Sequence, residues 1–348
     1  LISFADARGR LRRLRVVAVD RASVSAEAAS GAYVEPGVHL RVRRGATMIH
    51  EEDLGALPAL EEPLLLAVGD ILLVTTGAVP GRPARRDDAG RVIAPASIPC
   101  TLPEVFREVL PGERIWFDDG KLGGVVRAAT ADVLTVAITA GRDGGVRLRS
   151  DKGINLPDST LTLPCLSPQD RQDLGFARRH ADLVGLSFVR HPGDVAELVG
   201  LLGAGPRRPG IILKIETPQA FAALPAILLA GLAAGPLGVM VARGDLAVEV
   251  GFARLAEVQE EILWLSEAAH LPVIWGTQVL ETLAKKGIAT RAEVTDAAMS
   301  VRAECVMLNK GPHIVAAVRF LADVLGRMRA HQAKKSTLLR RLAVSRQG

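Results

Sequence analysis

Short apolar runs alternate with amphipathic stretches in the second half of the chain. The runs are ADLVGLSFV (181–189), GIILKIE (210–216), GVMVARGD (238–245), LPVIWGTQ (271–278) and AECVMLN (303–309), and their starts lie 29, 28, 33 and 32 residues apart. Within 253–270, Leu255, Val258, Ile262, Leu265 and Ala269 recur at helical spacing, with Glu and Gln on the opposite side. Strand and helix alternating in this way predict parallel βα units. Strands that are apolar throughout are buried on both faces, as in a βα barrel or an open doubly wound sheet. No G-x-G-x-x-G opens a helix here, which counts against a dinucleotide-binding sheet.

Residues 14–150 follow another pattern. Short Val/Leu/Ile runs such as LRRLRVVAVD, GVHLRVRRG, LLLAVGDILLVTTGAVPG and DVLTVAITAG are broken by Gly, Pro and Asp at close intervals. That predicts a small all-β domain. GRPARRDDAGRV, polar and glycine-containing, is expected to be a loop. The basic end, 329–348, is expected to be a solvated helical extension.

Composition narrows the function classes. Of the 348 residues 49% are hydrophobic and 23% charged, which suits a packed core and argues against global disorder. Three dispersed cysteines fit neither a zinc site nor a disulfide framework, so a cytoplasmic setting is expected. No apolar run is long enough to span a membrane, and no membrane partner is expected. The formal charge of +5 suits anionic small molecules, while aromatics at 3% leave few stacking platforms, so no nucleic-acid partner is expected.

Candidate chemistry lies at the ends of the five runs. They finish with Ser187 and Arg190; Lys214 and Glu216; Arg243, Gly244 and Asp245; Thr277 and Gln278; Asn309 and Lys310. In βα barrels the carboxyl ends of the strands carry the chemistry. Period-two alternation puts Ile212, Lys214 and Glu216 on one face. A buried ammonium and carboxylate must be paired or must hold a ligand, and this run alone fits either. Asp245, one strand along, adds a second carboxylate. Two carboxylates beside a lysine suit Mg²⁺, which takes one or two protein carboxylates and fills its remaining positions with water and substrate oxygens. Gly244 permits close backbone approach, the helix start offers N–H groups to an anion, and Thr277 adds a hydroxyl. The set suits a small phosphorylated carboxylate.

The strings KIETPQAF, GVMVARGDLAVEVG, VQEEI, PVIWGTQVLETL, TRAEVTDAAMSV and AECVML resemble the pyruvate kinase family. Upstream, DKGINLP, LTLPCLSPQDRQDL, LVGLSFVR, IWFDDG and ADARGRLRR resemble it too. The resemblance implies a (βα)8 barrel with an inserted small all-β lid. Residues 1–13 would be a barrel strand segment, 14–150 the lid, 151–328 the second half of the barrel and 329–348 the tail. The implied reaction moves a phosphoryl group between phosphoenolpyruvate and ADP, giving pyruvate and ATP. By resemblance, Glu216 and Asp245 hold Mg²⁺. Lys214 stabilises the transferring group, and Ala242, Arg243 and Gly244 form the turn that binds the substrate carboxylate together with Asp245. Thr277 binds substrate and is counted with Lys214 as catalytic. Arg13 and Lys152 contact nucleotide phosphates, Asp119 belongs to the nucleotide side of the lid, and Asp6 matches one potassium ligand. The TRAEVTDAAMSV helix resembles a subunit contact, which implies a homo-oligomer.

The sequence also departs from the family. Its first barrel strands are absent from this chain, which is therefore expected to be a fragment, and no C-terminal regulatory domain or sugar-phosphate allostery is expected. Ala7 stands for a threonine of the potassium site and Leu11 for a charged residue tied to potassium dependence, so K⁺ use stays open. MLNKGPHI replaces MLSGETAKG at the eighth strand, and Gly276 stands for an alanine. Two other readings stay open: a phosphoenolpyruvate- or pyruvate-binding barrel acting as a metal-dependent lyase or aldolase, and a non-catalytic phosphoenolpyruvate sensor.

Overall fold

Alternating side chains and tight turns build the first strands. The computed structural model describes residues 1–6, 9–20, 23–29, 32, 34–57, 62–77, 79–205 and 208–332. The chain divides into two units, Leu1–Glu62 and Pro63–Gly348. In the first, β1 (Ile2–Ala5), β2 (Leu11–Val19), β3 (Val24–Ala28), β4 (His39–Arg44) and β5 (Thr47–Asp53) form one antiparallel sheet in the order β3-β2-β1-β4-β5. Residues 1–13, expected as a barrel strand segment, therefore supply β1 and the start of β2 in this antiparallel sheet. The division at Glu62 falls inside the stretch 14–150 that was expected to be one domain. Ala7, and 333–348 of the tail, lie outside the described residues.

The second unit opens with ten short strands. They are β6 (Leu64–Leu66), β7 (Ile71–Thr75), β8 (Arg85–Arg86), β9 (Val92–Ala94), β10 (Ala96–Pro99), β11 (Arg114–Phe117), β12 (Leu122–Ala129), β13 (Val133–Ala140), β14 (Val146–Leu148) and β15 (Ile154–Asn155). Six of them make a sheet in the order β10-β7-β13-β12-β11-β15. Leu72, Phe106, Ile115, Phe117, Leu122, Leu134 and Ile138 fill its core. A Cβ at Gly123 would lie 2.4 Å from the Trp116 ring, and one at Gly124 2.5 Å from Val136 Cγ1, so β12 needs glycine where these side chains cross it. The expected loop GRPARRDDAGRV instead carries the β8–β9 hairpin. Asp87 stabilises its turn by accepting the backbone N–H groups of Ala89 and Arg91.

The strongly periodic region forms the predicted parallel units. Strands β16 (Leu183–Leu186), β17 (Gly210–Ile215), β18 (Leu237–Ala242), β19 (Val273–Val279) and β20 (Cys305–Leu308) pair in parallel and in sequential order. Helices precede, separate and follow them: α1 (Pro168–His180), α2 (Pro192–Leu202), α3 (Pro218–Ala222), α4 (Leu224–Leu232), α5 (Arg243–Val250), α6 (Phe252–Ala268), α7 (Glu281–Lys286), α8 (Arg291–Met299) and α9 (Ile314–Gln332). This is the βα order of an α/β barrel. Every residue of β18 is buried, and α6 covers the strands with Val258 and Ile262. Polar residues define where helices begin: Ser167 and Asp170 form a capping box on α1, Thr290 and Glu293 one on α8, and Thr217 caps α3. Each cap follows a strand end or a loop, so the chain turns sharply where its polar side chains collect.

Candidate active site

Four neighbouring strand ends gather the polar residues. On β17, Lys214 and the residue just past the strand, Glu216, do share a face. Lys214 Nζ lies 2.8 Å from Glu216 Oε1 and donates to Ser187 Oγ at 2.9 Å. Glu216 is 1% exposed, and its Oε2 accepts the Phe188 N–H at 2.5 Å. Burial raises the Glu216 carboxyl, the Lys214 hydrogen bond and charge pull it down, and the charge of Asp245 pushes it up again. The ion pair is made, and the ammonium reaches a hydroxyl and a carboxylate while remaining partly exposed.

One strand along, β18 runs straight into α5, so Ala242, Arg243, Gly244 and Asp245 form a strand-to-helix corner. Gly244 N–H donates to Thr277 Oγ1 at 3.2 Å, which ties this corner to the end of β19. A Cβ at Gly244 would lie 3.0 Å from the same hydroxyl oxygen. The Arg243 side chain turns inward. Its Nε donates to Gly276 O at 3.1 Å and its Nη2 to Thr277 O at 2.5 Å, it pairs with Asp296 of α8, and its Cζ sits 4.9 Å from the Trp275 ring centroid. Arg243 therefore shapes the site as a clamp. A Cβ at Gly276 would meet Met240 Cε at 2.4 Å, the mobile end of a side chain that can shift to admit it.

The all-β sheet brings further acids to this corner. The turn between β11 and β12 is Asp118-Asp119-Gly120, with φ of 52°, 55° and 81°. Asp and Gly adopt the left-handed region more readily than other residues. A Cβ at Gly120 would lie 3.1 Å from Val248 of α5. Lys121 and Lys152 pair with Asp118 at 3.0 and 3.2 Å. Burial pushes Asp118 up, but these two lysines outweigh it and hold the carboxyl below its usual value. Asp119 is raised, by burial first and then by the charge of Asp245. Asn155, on β15 and 3% exposed, donates from Nδ2 to Asp245 Oδ1 at 3.2 Å and to Glu249 Oε1 at 3.0 Å.

Glu249 carries the largest shift in this group. Burial lifts it from 4.5 to about 7, against the Asn155 hydrogen bond and with help from the charge of Asp245. The folded chain therefore holds this proton more tightly than the unfolded chain. The resulting stability is fully present below pH 4.5 and is lost as pH rises through about 7. In metal-free buffer Glu249→Gln is expected to melt above wild type beyond pH ~7.5 and to converge with it below pH ~5. Melting curves that stay parallel across that range would refute the assignment.

Most of the residues expected for the site meet here. Lys214, Glu216, Ala242, Arg243, Gly244, Asp245, Thr277, Lys152 and Asp119 all lie in the second unit, at β17–β19 and the Asp118–Asp119 turn. Arg13 and Asp6 belong to the first unit. Arg13 is exposed on β2, opposite Ser3. Asp6 is buried, accepts the Arg10 N–H at 2.9 Å and pairs with Arg12 at 2.7 Å. Lys310 is exposed, and Asn309 donates to Glu281 at 3.4 Å. Sequence reasoning missed Asn155, Glu249 and Asp296. Glu249 follows Asp245 by four residues on a helix, a spacing that signals one face. Nothing local marks Asn155, which lies 90 residues from its partner.

The donor set can be tested against a hard divalent cation. Asp245 raises Glu216, Asp119 and Glu249 alike, so the corner concentrates negative charge that a cation would neutralise. Among the described residues no three His, Cys, Asp or Glu side chains are placed as a closed metal cage. A hard cation such as Mg²⁺ takes one or two protein carboxylates and fills its other positions with water and substrate oxygens, so the acids of this corner suit it without a closed cage. Among the described residues no helix is long and apolar enough to cross a membrane.

Comparison with known proteins adds a family. Residues 87–312 match the model described as pyruvate kinase, barrel domain. The chain is 36% identical over 227 residues to a pyruvate kinase of Corynebacterium efficiens, covering 63% of this chain and 46% of that protein. It is 34% identical over 266 residues to a pyruvate kinase of Mycobacterium tuberculosis, covering 74% and 52%. It is 38% identical over 224 residues to the human protein named pyruvate kinase PKLR, covering 62% and 38%. These matches span about half or less of the length of each relative.

Proposed function

The chain belongs to the pyruvate kinase family, and from that premise we propose that it moves a phosphoryl group between phosphoenolpyruvate and ADP, giving pyruvate and ATP. The observation that carries this reading is the placement of Lys214 Nζ between Ser187 Oγ and Glu216, one strand from Asp245. In the proposed reaction the enol oxygen–phosphorus bond breaks and a β-phosphate oxygen of ADP bonds to phosphorus. The enolate left behind takes a proton at carbon to become pyruvate. Lys214 offsets the charge that develops on the transferring group and the enolate. Glu216 and Asp245 would hold Mg²⁺, which supplies charge neutralisation when bound. The backbone at Ala242–Asp245 receives the substrate carboxylate, and the Thr277 hydroxyl fixes that corner and faces the substrate.

On the nucleotide side, Lys152 contacts phosphates and Asp119 orders the approach. The all-β part acts as a lid that excludes water, which protects the phosphoryl group from hydrolysis. A closed eight-stranded barrel, a homo-oligomer, a cytoplasmic setting and a potassium role for Asp6 belong to the same reading. Asp6 pairs with Arg12, so the comparison with and without K⁺ decides whether Asp6 serves a potassium ion.

The test is ATP formation from phosphoenolpyruvate and ADP with Mg²⁺, with and without K⁺. Mg²⁺-dependent ATP formation supports the proposal. Metal-dependent binding of phosphoenolpyruvate or pyruvate with no binding of ADP would favour a lyase or aldolase. Thermal protection by phosphoenolpyruvate with no product would favour a sensor.

A further inference from the structure

Among the described residues, the Asp245 carboxylate accepts one side-chain hydrogen bond, and its donor comes from far along the chain. Asn155 sits at the end of β15, where it pairs with Trp116 of β11 as the last strand of the all-β sheet. Its side chain is 3% exposed, so its amide is not shared freely with solvent. One nitrogen spans two carboxylates of α5, Asp245 at 3.2 Å and Glu249 at 3.0 Å. The backbone at Leu156, the next residue, works against burial in lowering the Glu249 carboxyl. Asn155 thus bridges two successive groups of α5, and Glu249, one turn after Asp245, is the anchor.

We propose that Asn155 is a positioning residue that orients Asp245 toward the cation and couples the seat of the all-β sheet to occupation of the metal site. This rests on the reading of Asp245 as a metal ligand. The physical argument concerns which oxygen is free. A carboxylate that accepts a hydrogen bond on Oδ1 has its rotation about the Cβ–Cγ bond restricted, and it presents Oδ2 outward. Partners of this kind orient the ligands they touch, and their loss commonly weakens metal affinity by roughly 10–100-fold. The amide suits this task because it donates without bringing charge. An aspartate here would add a fifth acid to a corner that already holds Asp119, Glu216, Asp245 and Glu249, and a lysine would compete with the cation.

The coupling follows from the same contacts. Asn155 is fixed on the sheet whose neighbouring turn carries Asp118 and Asp119. Any shift of β15 relative to α5 moves the donor off Asp245 and frees its carboxylate to turn. Conversely, a cation that draws Asp245 into a fixed orientation keeps the Asn155 contact made and holds β15 in place. Cation binding and sheet seating therefore favour each other, as linkage requires.

The experiment uses Mn²⁺ alone as probe, with its binding followed by electron paramagnetic resonance of the free ion, and needs no turnover. Asn155→Ala and Asn155→Ser are compared with wild type, alongside melting temperature. Each variant is expected to weaken Mn²⁺ binding by ~10-fold or more. With kinetics as a second readout, the metal concentration for half-maximal activity should rise more than kcat falls. A protease that cuts in the all-β sheet should be slowed by Mn²⁺ in wild type but not in Asn155→Ala. Mn²⁺ affinity within twofold of wild type in a folded Asn155 variant would overturn the inference. If Asn155→Ala does not fold, Asn155→Ser decides, since it keeps a polar group of smaller reach. Failure of wild type to bind Mn²⁺ at all would instead overturn the metal assignment of Asp245, and this inference with it.

Discussion

Lys214→Met is expected to lower turnover by at least ~10²-fold while the fold survives, the scale of losing one preorganised charge stabiliser. Methionine keeps most of the length of the apolar stem and removes only the ammonium. Among the described residues, the ammonium is the one group that touches both Ser187 Oγ and Glu216, so its loss takes the fixed positive charge from the proposed site. Glu216 keeps the Phe188 N–H and so keeps its place. Its carboxyl should rise further, because Lys214 is what opposes the effect of burial. Mn²⁺ binding measured at pH ~8 should then stay within a few-fold of wild type, since the cation replaces the lost charge. Steady-state kinetics beside a metal titration checks both parts. Near-normal turnover would remove Lys214 from the chemistry.

The second large effect concerns a residue behind the site. Trp275→Ala is expected to destabilise the chain by about 3–5 kcal/mol, the usual range for emptying a buried tryptophan site. Trp275 is 1% exposed and is among the largest fully buried side chains among the described residues. It also lies under the Arg243 guanidinium, which holds Gly276 O and Thr277 O. The variant should therefore lose both core packing and the fixed position of the Thr277 corner, and KM should rise in the protein that remains folded. Trp275→Phe separates the two effects. The Trp275 indole N–H finds no acceptor among the described residues, so phenylalanine gives up no hydrogen bond and keeps an aromatic face for Arg243. It should cost about half as much or less. Urea unfolding of the three proteins is the measurement, and a loss below ~1 kcal/mol for the alanine variant would show that the surrounding helices collapse into the space.

The parallel strands and their polar ends were legible because each depends on local spacing. A period of two put Lys214 and Glu216 together, and a repeat of about 30 residues put their strand beside the one that ends in Asp245. The partners of those residues were not legible in the same way. Arg243 is read from sequence as part of a ligand-binding turn, yet its side chain is occupied by Asp296, Trp275 and two carbonyls. Asn155 reaches Asp245 only after two different sheets have formed. Contacts of that kind are set by how elements pack, and no short-range pattern encodes them. The division at Glu62 was hidden for a related reason: short strands and turns look alike on either side of it, and only their pairing partners separate the two units. The β8–β9 hairpin was hidden by its composition, because arginine and aspartate on exposed two-residue strands read as loop.

The loop after β20 carries a constraint of another kind. A Cβ at Gly311 would lie 2.2 Å from Ala284 O, so no side chain fits there without moving α7. For a mutational library aimed at changing what this site accepts, position 311 is a fixed point and its neighbours are the variables. Randomising 309, 310 and 313 alters charge and hydrogen-bonding capacity just after β20 and leaves the close approach at Gly311 in place. Lineages that drift in this loop should show the same asymmetry, with one silent glycine amid changing neighbours.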